Sequence, residues 1–231
     1  MTIKHGDKLL IVAPHPDDES IGCGGLLALY GKQCDVMLVT DGRLGKSEAR
    51  KSVSDEEIIK TRLEELKNAL QICGVNHLIT LNIPDSQTKK YKKRFFQTNI
   101  RNYDYIFIPN SHEAHPDHYL TCKYIKRMRL LGKTKAKIYE YEVWTPLRSI
   151  DWLLDISSVE ETKKSMIEQH VSQLECMNYL NSGMGLSHYR GIGCRTSAAE
   201  AFYRSPATVV DKIKRMGSDL KIRIVRLKFR R

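Results

Sequence analysis

The sequence predicts an α/β protein with a mostly parallel central sheet covered by helices on both faces. Short apolar runs alternate with longer amphipathic segments, which is the pattern of strands connected by crossover helices. The first apolar run, LLIVA at 9–13, has no polar position, as expected for a parallel strand buried on both faces. The chain has 231 residues, of which 41% are hydrophobic and 28% charged, and this suffices for one domain with a full core.

The first predicted elements are bounded by turn residues and helix caps. The strand at 8–13 leads to a helix at 20–30, in which two adjacent glycines allow close packing. A second apolar strand at 35–40 ends at Asp-Gly. The helix at 54–73 begins with a Ser cap and three acidic residues, and it ends before a Gly.

The later elements follow the same alternation. A strand at 77–83 ends at Pro-Asp, and a strand at 105–108 ends at Pro-Asn. We expect a helix at 118–131, a fifth strand at 137–144 and a last helix at 159–179. Parallel strands have their carboxyl ends at one edge of the sheet, which is where open α/β proteins bind ligands.

Cysteine usage and targeting signals indicate a cytoplasmic protein. The six cysteines are scattered without a C-x-x-C pair, which is typical of reduced thiols. The sequence has no apolar run of membrane-spanning length, and its first residues lack the pattern of a signal peptide.

Two clusters of titratable side chains follow the first and fourth predicted strands. His15, Asp17, Asp18 and Glu19 come directly after the first strand, in the sequence HPDDE. The segment HEAHPDH at 112–118 comes just after the fourth strand. Because these two strands are neighbours in the commonest doubly wound order, we expect the clusters to meet at the switch point of the sheet.

The residue types in these clusters are those of a metal site. Imidazole and carboxylate suit a divalent transition ion, zinc foremost, and a cation also relieves repulsion between packed carboxylates. A single His-Pro-Asp segment is more often a turn followed by a helix cap than a catalytic element. Two such segments, each behind a buried strand, favour a metal site. An additional Asp near the metal would serve as a general base, and an additional His as an electrophile.

The segments APHPDDESIGCGG, VTDGRLG and EAHPDH resemble the LmbE-like family, the N-acetylglucosaminyl-phosphatidylinositol de-N-acetylase (PIG-L) type. IEQHVSQ at 167–173 and RGIGCRTSAAEAF at 190–202 resemble later segments of that family. The resemblance implies a Rossmann-like three-layer fold. It also implies a zinc-dependent deacetylase domain at 1–205. The remaining residues, 206–231, are a basic C-terminal extension, which we expect to pack on the same domain.

The resemblance also implies roles for individual residues. Three residues match the zinc ligands of the family: His15, Asp18 and His118. Another divalent transition ion is compatible with the same donors. Asp17 matches the general base, and His115 matches the group that stabilises the oxyanion or assists the leaving amine. Asp117 is expected to orient a neighbouring imidazole.

Four further residues are candidates for substrate contact: Glu19, Arg43, Arg62 and Asp85. The family often has Glu where Arg43 stands and Gly where Ser86 stands, and both positions lie at the substrate end. These departures therefore concern the identity of the substrate rather than the metal. Arg43 would either bind an anionic group of the substrate or lie in a solvent-facing loop. His112 and Glu113 have no match in the family pattern.

The function implied by the resemblance is hydrolysis of the acetamide of an N-acetylated amino sugar carried on a nucleotide, a lipid phosphate or a glycoside. Asp17 would take a proton from the attacking water, and the products would be acetate and a free amine. The alternatives are a non-catalytic sugar-binding protein with a relic metal site and a nucleic-acid-binding protein acting through its basic tail. The segment 212–231 has one aromatic residue, which argues against specific nucleic-acid binding. The sequence is compatible with a homo-oligomer but does not determine the oligomeric state.

The positive charge is concentrated at the end of the chain. The net charge is +11, and residues 212–231 hold nine Lys or Arg and one Asp. Apolar residues at 220–229 alternate with one slip, which predicts a strand with a bulge. At ~1 kcal/mol per basic residue near an anionic membrane, this segment could hold the protein at the inner face of the membrane beside a lipid-linked substrate. A solubilising tail is the alternative.

The membrane contact predicts a difference between two chains in vesicle sedimentation. The whole chain should sediment with anionic vesicles at low salt, and a chain ending at Arg215 should stay in solution. Equal binding of both chains, or binding of neither, would mean that the tail has no membrane role.

Overall fold

The computed structural model describes residues 2–206, which form one seven-stranded sheet with helices on both faces. The strands are β1 (Leu9–Ala13), β2 (Cys34–Thr40), β3 (His77–Ile83), β4 (Tyr105–Pro109), β5 (Lys137–Tyr141), β6 (Trp152–Asp155) and β7 (Ala199–Arg204). The helices are α1 (Asp18–Tyr30), α2 (Asp55–Ile72), α3 (Lys93–Gln97), α4 (Pro116–Leu130), α5 (Glu160–Glu168), α6 (Val171–Leu174) and α7 (Tyr179–Cys194).

The order of the strands in the sheet is β3-β2-β1-β4-β5-β7-β6. Strands β1 to β5 are parallel, and β7 runs antiparallel to both β5 and β6. The predicted α/β class with a mostly parallel sheet is confirmed. Strands β2 and β3 lie on one side of β1, and β4 lies on the other side. The strand order therefore reverses between β1 and β4, which is the switch point of the sheet.

The apolar run in β1 is explained by its position in the middle of the sheet. Leu9 and Ile11 face the apolar layer on one side of the sheet, and Leu10 and Val12 face the layer on the other side. All five residues of β1 are buried. A central parallel strand therefore needs apolar residues at consecutive positions rather than alternation.

The glycine pair in α1 has the predicted packing role. A Cβ atom at Gly25 would lie 2.4 Å from Cγ2 of Ile156, and a Cβ at Gly24 would lie 2.9 Å from Cγ of Lys163. The start of α2 also matches its prediction, because Oγ of Ser54 accepts the N–H of Glu57 at 3.2 Å.

The predicted helix at 159–179 is wrong. The structure has α5 and the short α6 in this region, and α7 is a separate helix that begins at Tyr179. The break falls at His170, which is 2% exposed and points its ring at the buried Glu19 carboxylate. Burial of this polar side chain fixes a non-helical turn that a hydrophobic period cannot reveal.

The predicted strand at 137–144 is too long, since β5 ends at Tyr141. The N–H groups of Val143 and Trp144 donate to the Glu113 carboxylate instead of to a neighbouring strand. The prediction also missed the short α3, as well as β6, β7 and α7. In β7, the charged Glu200 is buried because it accepts the N–H groups of Gly25 and Leu26 and pairs with Lys163.

The predictions for the C-terminal extension lie outside the described residues. These are the basic extension at 206–231, apart from its first residue, and the strand with a bulge at 220–229. Among residues 2–206, no helix is both long enough and apolar enough to cross a bilayer.

Candidate active site

The two predicted clusters meet at the carboxyl edge of the sheet. His15 follows β1, and His115 and His118 lie at and inside the start of α4, behind β4. The ring centroids of His15 and His115 are 4.8 Å apart, and those of His15 and His118 are 5.2 Å apart. The parallel pairing of β1 with β4 brings these side chains together across about a hundred residues of sequence.

Three donor atoms form a small triangle in this cluster. Nε2 of His118 lies 3.2 Å from Oδ2 of Asp18, and Nδ1 of His15 lies 3.3 Å from the same oxygen. The two ring nitrogens are 3.2 Å apart. Zinc bonds of about 2.0–2.1 Å at tetrahedral angles place ligand atoms about 3.3 Å apart, so the triangle fits one face of a tetrahedral zinc site.

The neighbouring carboxylates give this region other groupings that could hold an ion. His15 can combine with His115 and His118, or with Asp85 and Asp117. Nε2 of His15 lies 3.3 Å from Oδ1 of Asp85 and 3.5 Å from Oδ2 of Asp117. His15 therefore lies between the Asp18 carboxylate on one side and these two carboxylates on the other.

The electrostatics follow from this crowding of His and Asp. Burial lowers the pKa of His15, but hydrogen bonds to Asp117, Asp18 and Asp85 raise it well above its ordinary value. Burial raises the pKa of Asp18, but His118 and His15 bring it well below its ordinary range. Asp18 is thus held as a carboxylate although it is 1% exposed.

Asp17 has a strained backbone at the start of α1. Its φ is 144° and its ψ is −29°, in a region that residues with a side chain rarely adopt. Its N–H donates to Oε2 of Glu19 at 3.1 Å. Burial raises the pKa of Asp17 to about 6, with Arg62 opposing the rise and Asp18 adding to it. This backbone conformation places Asp17 directly before the helix, next to Asp18 in sequence, without making it part of the helix.

Arg62 reaches Asp17 from α2 and is 3% exposed. Its Nη2 donates to Oδ2 of Asp17 at 3.2 Å and to the carbonyl of Pro16 at 2.9 Å, and its Nη1 donates to the carbonyl of Gly42 at 2.6 Å. A Cβ at Gly42, where φ is +68°, would lie 2.6 Å from Nη1 of Arg62. Among the described residues, the guanidinium is thus directed at the protein itself and fixes the HPDD turn.

For the metal-dependent catalytic site that the sequence predicts, replacing Arg62 by Gln should lower turnover by about 10–100-fold and leave the metal content unchanged, as expected for loss of a neighbouring positioning contact. The substitution leaves the Asp17 carboxylate and two carbonyl oxygens without their cationic donor. Steady-state kinetics and elemental analysis check this. Lys60→Gln, at an exposed position of the same helix, is the matched control. Normal turnover in Arg62→Gln would show that Arg62 does not contribute to the activity.

Glu19 is fully buried and is held by a residue that sequence reasoning missed. Its Oε1 lies 3.1 Å from Nε2 of His170 and accepts the Ser20 hydroxyl at 2.6 Å. Burial lowers the pKa of His170, but Glu19 raises it above its ordinary value. The sequence signal for this residue is the His within IEQHVSQ, the segment that resembles the family. Glu19, which is paired with His170, thus accepts the N–H of Asp17 and helps to fix its backbone.

The other candidate substrate residues lie in loops around the cluster. Nε and Nη2 of Arg43 donate to the Asp41 carboxylate, and the side chain is 31% exposed. Oδ2 of Asp85 accepts the N–H of Leu44 at 3.3 Å. Ser86 has a φ of +63°, which explains why glycine is usual there, and its N–H donates to Oδ2 of Asp117 at 2.8 Å.

His115 lies at the N-cap of α4, where its Nδ1 accepts the N–H of Asp117 at 3.3 Å. Burial lowers the pKa of His115, and the charges of His15 and His118 lower it further. A neutral ring that accepts at Nδ1 carries its proton on Nε2. His115 is therefore arranged as a hydrogen-bond donor beside the cluster.

The family model for GlcNAc-PI de-N-acetylase (PIG-L) matches residues 10–128, which include both clusters. The chain belongs to the PIG-L family. Diacetylchitobiose deacetylase of Thermococcus kodakarensis is 29% identical over 189 residues, covering 72% of this chain and 70% of that protein. A probable N-acetyl-alpha-D-glucosaminyl L-malate deacetylase 2 of Bacillus subtilis is 27% identical over 191 residues, covering 74% of this chain and 85% of that protein.

The fold of the PIG-L member described here is also found among solved structures. N,N'-diacetylchitobiose deacetylase from Pyrococcus horikoshii superposes with a TM-score of 0.74 at 22% identity, over 87% of this chain and 84% of that chain. At this identity the likeness supports the fold. It agrees with the predicted Rossmann-like layered architecture.

Proposed function

We propose that the protein hydrolyses the acetamide of an N-acetylated amino sugar and that it holds a divalent ion, zinc foremost, through His15, Asp18 and His118. The observation that carries this proposal is the triangle of donor atoms with edges of 3.2–3.3 Å. The Asp17 carboxylate and the His115 ring lie beside it. Deacetylation of acetylated amino sugars is the activity named for both relatives in the PIG-L family.

The chain's own residues divide the work of hydrolysis. A zinc ion in such a site supplies Lewis acidity and lowers the pKa of water toward about 7. Asp17 accepts the proton of the water that attacks the acetyl carbon. Arg62 and Glu19 hold Asp17 in place through their hydrogen bonds. His115 donates its Nε2–H to the carbonyl oxygen as negative charge develops there. The C–N bond then breaks, the nitrogen takes the proton from Asp17, and acetate and a free amine leave.

The remaining carboxylates position the imidazoles. Asp117 accepts the N–H of Ser86, and its Oδ2 lies 3.5 Å from Nε2 of His15, which supports a role in orienting that ring. Asp85 contacts the same nitrogen of His15. We therefore assign Asp85 a positioning role next to the metal, with substrate contact as the alternative. Arg43 keeps its proposed contact with an anionic part of the substrate, since its side chain is partly exposed.

The experiment is a substrate screen with the zinc-loaded protein. N-acetylglucosamine, N,N'-diacetylchitobiose, a nucleotide-linked N-acetylglucosamine and N-acetylglucosaminyl malate are incubated separately, and free amine is measured with an amine-reactive fluorophore. An Asp17→Asn preparation purified in the same way is the control for contaminating activity. Amine release by the wild type alone supports the proposal. Absence of amine from every compound at full metal occupancy would favour the sugar-binding alternative.

A further inference from the structure

Two aromatic rings pack against each other, and one of them lies on a loop that is hydrogen-bonded to the segment carrying His115. Trp144 lies in the loop after β5, and Tyr179 begins α7. Their ring centroids are 4.8 Å apart with an angle of 41° between the planes. Trp144 is 41% exposed, so that much of its large apolar surface faces solvent. Exposed aromatic rings of this kind are suited to ligand contact, because they offer a large apolar surface with little conformational freedom.

The Trp144 loop is fixed to the loop that carries His115. Glu113 is 5% exposed and stands two residues before His115. Its Oε1 accepts the N–H groups of Trp144 and Thr145 at 3.1 Å each, and its Oε2 accepts the Thr145 hydroxyl at 3.0 Å. A buried carboxylate thus joins the backbone of Trp144 to the segment of the proposed oxyanion donor.

Tyr179 is partly buried and packs against the apolar layer on its side of the sheet. Burial raises the pKa of its phenol, and the charges of Asp17 and Asp18 raise it further. The neighbouring Asn178 caps α7, since its side-chain oxygen accepts the N–H of Asn181 at 3.0 Å. The aromatic pair is therefore joined through Glu113 to the segment that carries His115.

We propose that Trp144 and Tyr179 form an aromatic wall that binds a pyranose ring of the substrate. This inference rests on the proposed function and names the part of the substrate that the wall contacts. The C–H face of a pyranose is apolar and flat. An indole that already packs on a second ring contacts this face with little loss of side-chain entropy. The wall makes the protein select cyclic N-acetyl sugars over acyclic N-acetyl amines.

The first test is steady-state kinetics with N,N'-diacetylchitobiose. Trp144→Ala should raise KM by about tenfold and change kcat by less than about twofold, as expected for lost ground-state binding. Trp144→Phe should restore most of the affinity. Tyr189→Ala, which removes a 64% exposed ring elsewhere on α7, is the matched control. An unchanged KM in Trp144→Ala, with a normal circular dichroism spectrum, would overturn the proposal.

The second test is independent of catalysis. Trp152, the other tryptophan of the chain, stacks on Phe202 with centroids 4.8 Å apart, so Trp144 is the exposed fluorophore. Adding N,N'-diacetylchitobiose to the metal-free protein should change the indole emission saturably. The same titration with Trp144→Phe, or with the acyclic N-acetylethanolamine, should give no such change.

The two tests separate the inference from the proposed function. A saturable emission change without deacetylation in the screen would keep the aromatic wall and reject the hydrolase. Deacetylation without an emission change, and with the same KM in Trp144→Ala, would reject the aromatic wall and keep the hydrolase. Absence of both deacetylation and the emission change would reject both.

Discussion

Replacing Asp17 by Asn will lower the turnover of the zinc-loaded protein by about 10²–10⁴-fold and leave its metal content unchanged. The amide keeps the size of the side chain and can still accept a hydrogen bond from Arg62. It cannot take a proton from water, so the step that activates the nucleophile loses its acceptor. The strained backbone at Asp17 places this carboxylate within hydrogen-bond distance of Arg62.

The measurement is kcat for amine release, together with elemental analysis of the same preparation. Asp104→Asn, at an exposed carboxylate at the opposite edge of the sheet, is the matched control and should behave as wild type. Near-normal turnover in Asp17→Asn would move the role of general base to another carboxylate, with Glu19 the first to test. Loss of metal in that variant would instead make Asp17 a ligand.

Replacing His15 by Ala will abolish stoichiometric metal binding and activity while the domain stays folded. His15 contributes one corner of the donor triangle, and it is also the ring toward which Asp85 and Asp117 converge. Its removal should weaken metal binding by more than the about 10–100-fold that loss of an outer partner costs. The apolar layers on both sides of β1 do not include His15, so the fold should persist.

Elemental analysis after dialysis and circular dichroism together check this result. His112→Ala is the matched control, because His112 lies in the same HEAHPDH segment but is exposed and outside both candidate metal groupings. It should retain metal and activity. Full metal occupancy in His15→Ala would contradict the ligand assignment, whatever its activity.

The sequence allowed the central part of the fold and the location of the site to be predicted, because both depend on local patterns. These patterns are the apolar runs of β1 and β4 and the HPD segments that follow them. They are short motifs that can be interpreted without knowledge of tertiary contacts. The neighbourhood of β1 and β4 followed from the common doubly wound order. The residues that meet there could therefore be named before the structure was known.

The contacts around Asp17 could not be predicted in the same way. Arg62 was proposed to contact the substrate, whereas its guanidinium binds Asp17, Pro16 and Gly42 within the described structure. His170 was passed over, although it pairs with Glu19 across about 150 residues of sequence. Such pairings depend on where α2 and the α5–α6 turn pack, which no local pattern encodes. Strand β7 was missed for the same reason. It contains the charged Glu200, which is buried because it pairs with Lys163 on another element.

The central claim is that hydrolysis depends on a metal held at the triangle of donor atoms. The most direct test follows acetate and amine from N,N'-diacetylchitobiose in three preparations: zinc-loaded, stripped with a chelator and dialysed, and stripped and then reloaded with zinc. The zinc-loaded protein should release acetate and amine in equal amounts, the stripped protein should release neither, and reloading should restore both. Equal release by the stripped protein, with metal shown to be absent, would contradict the account.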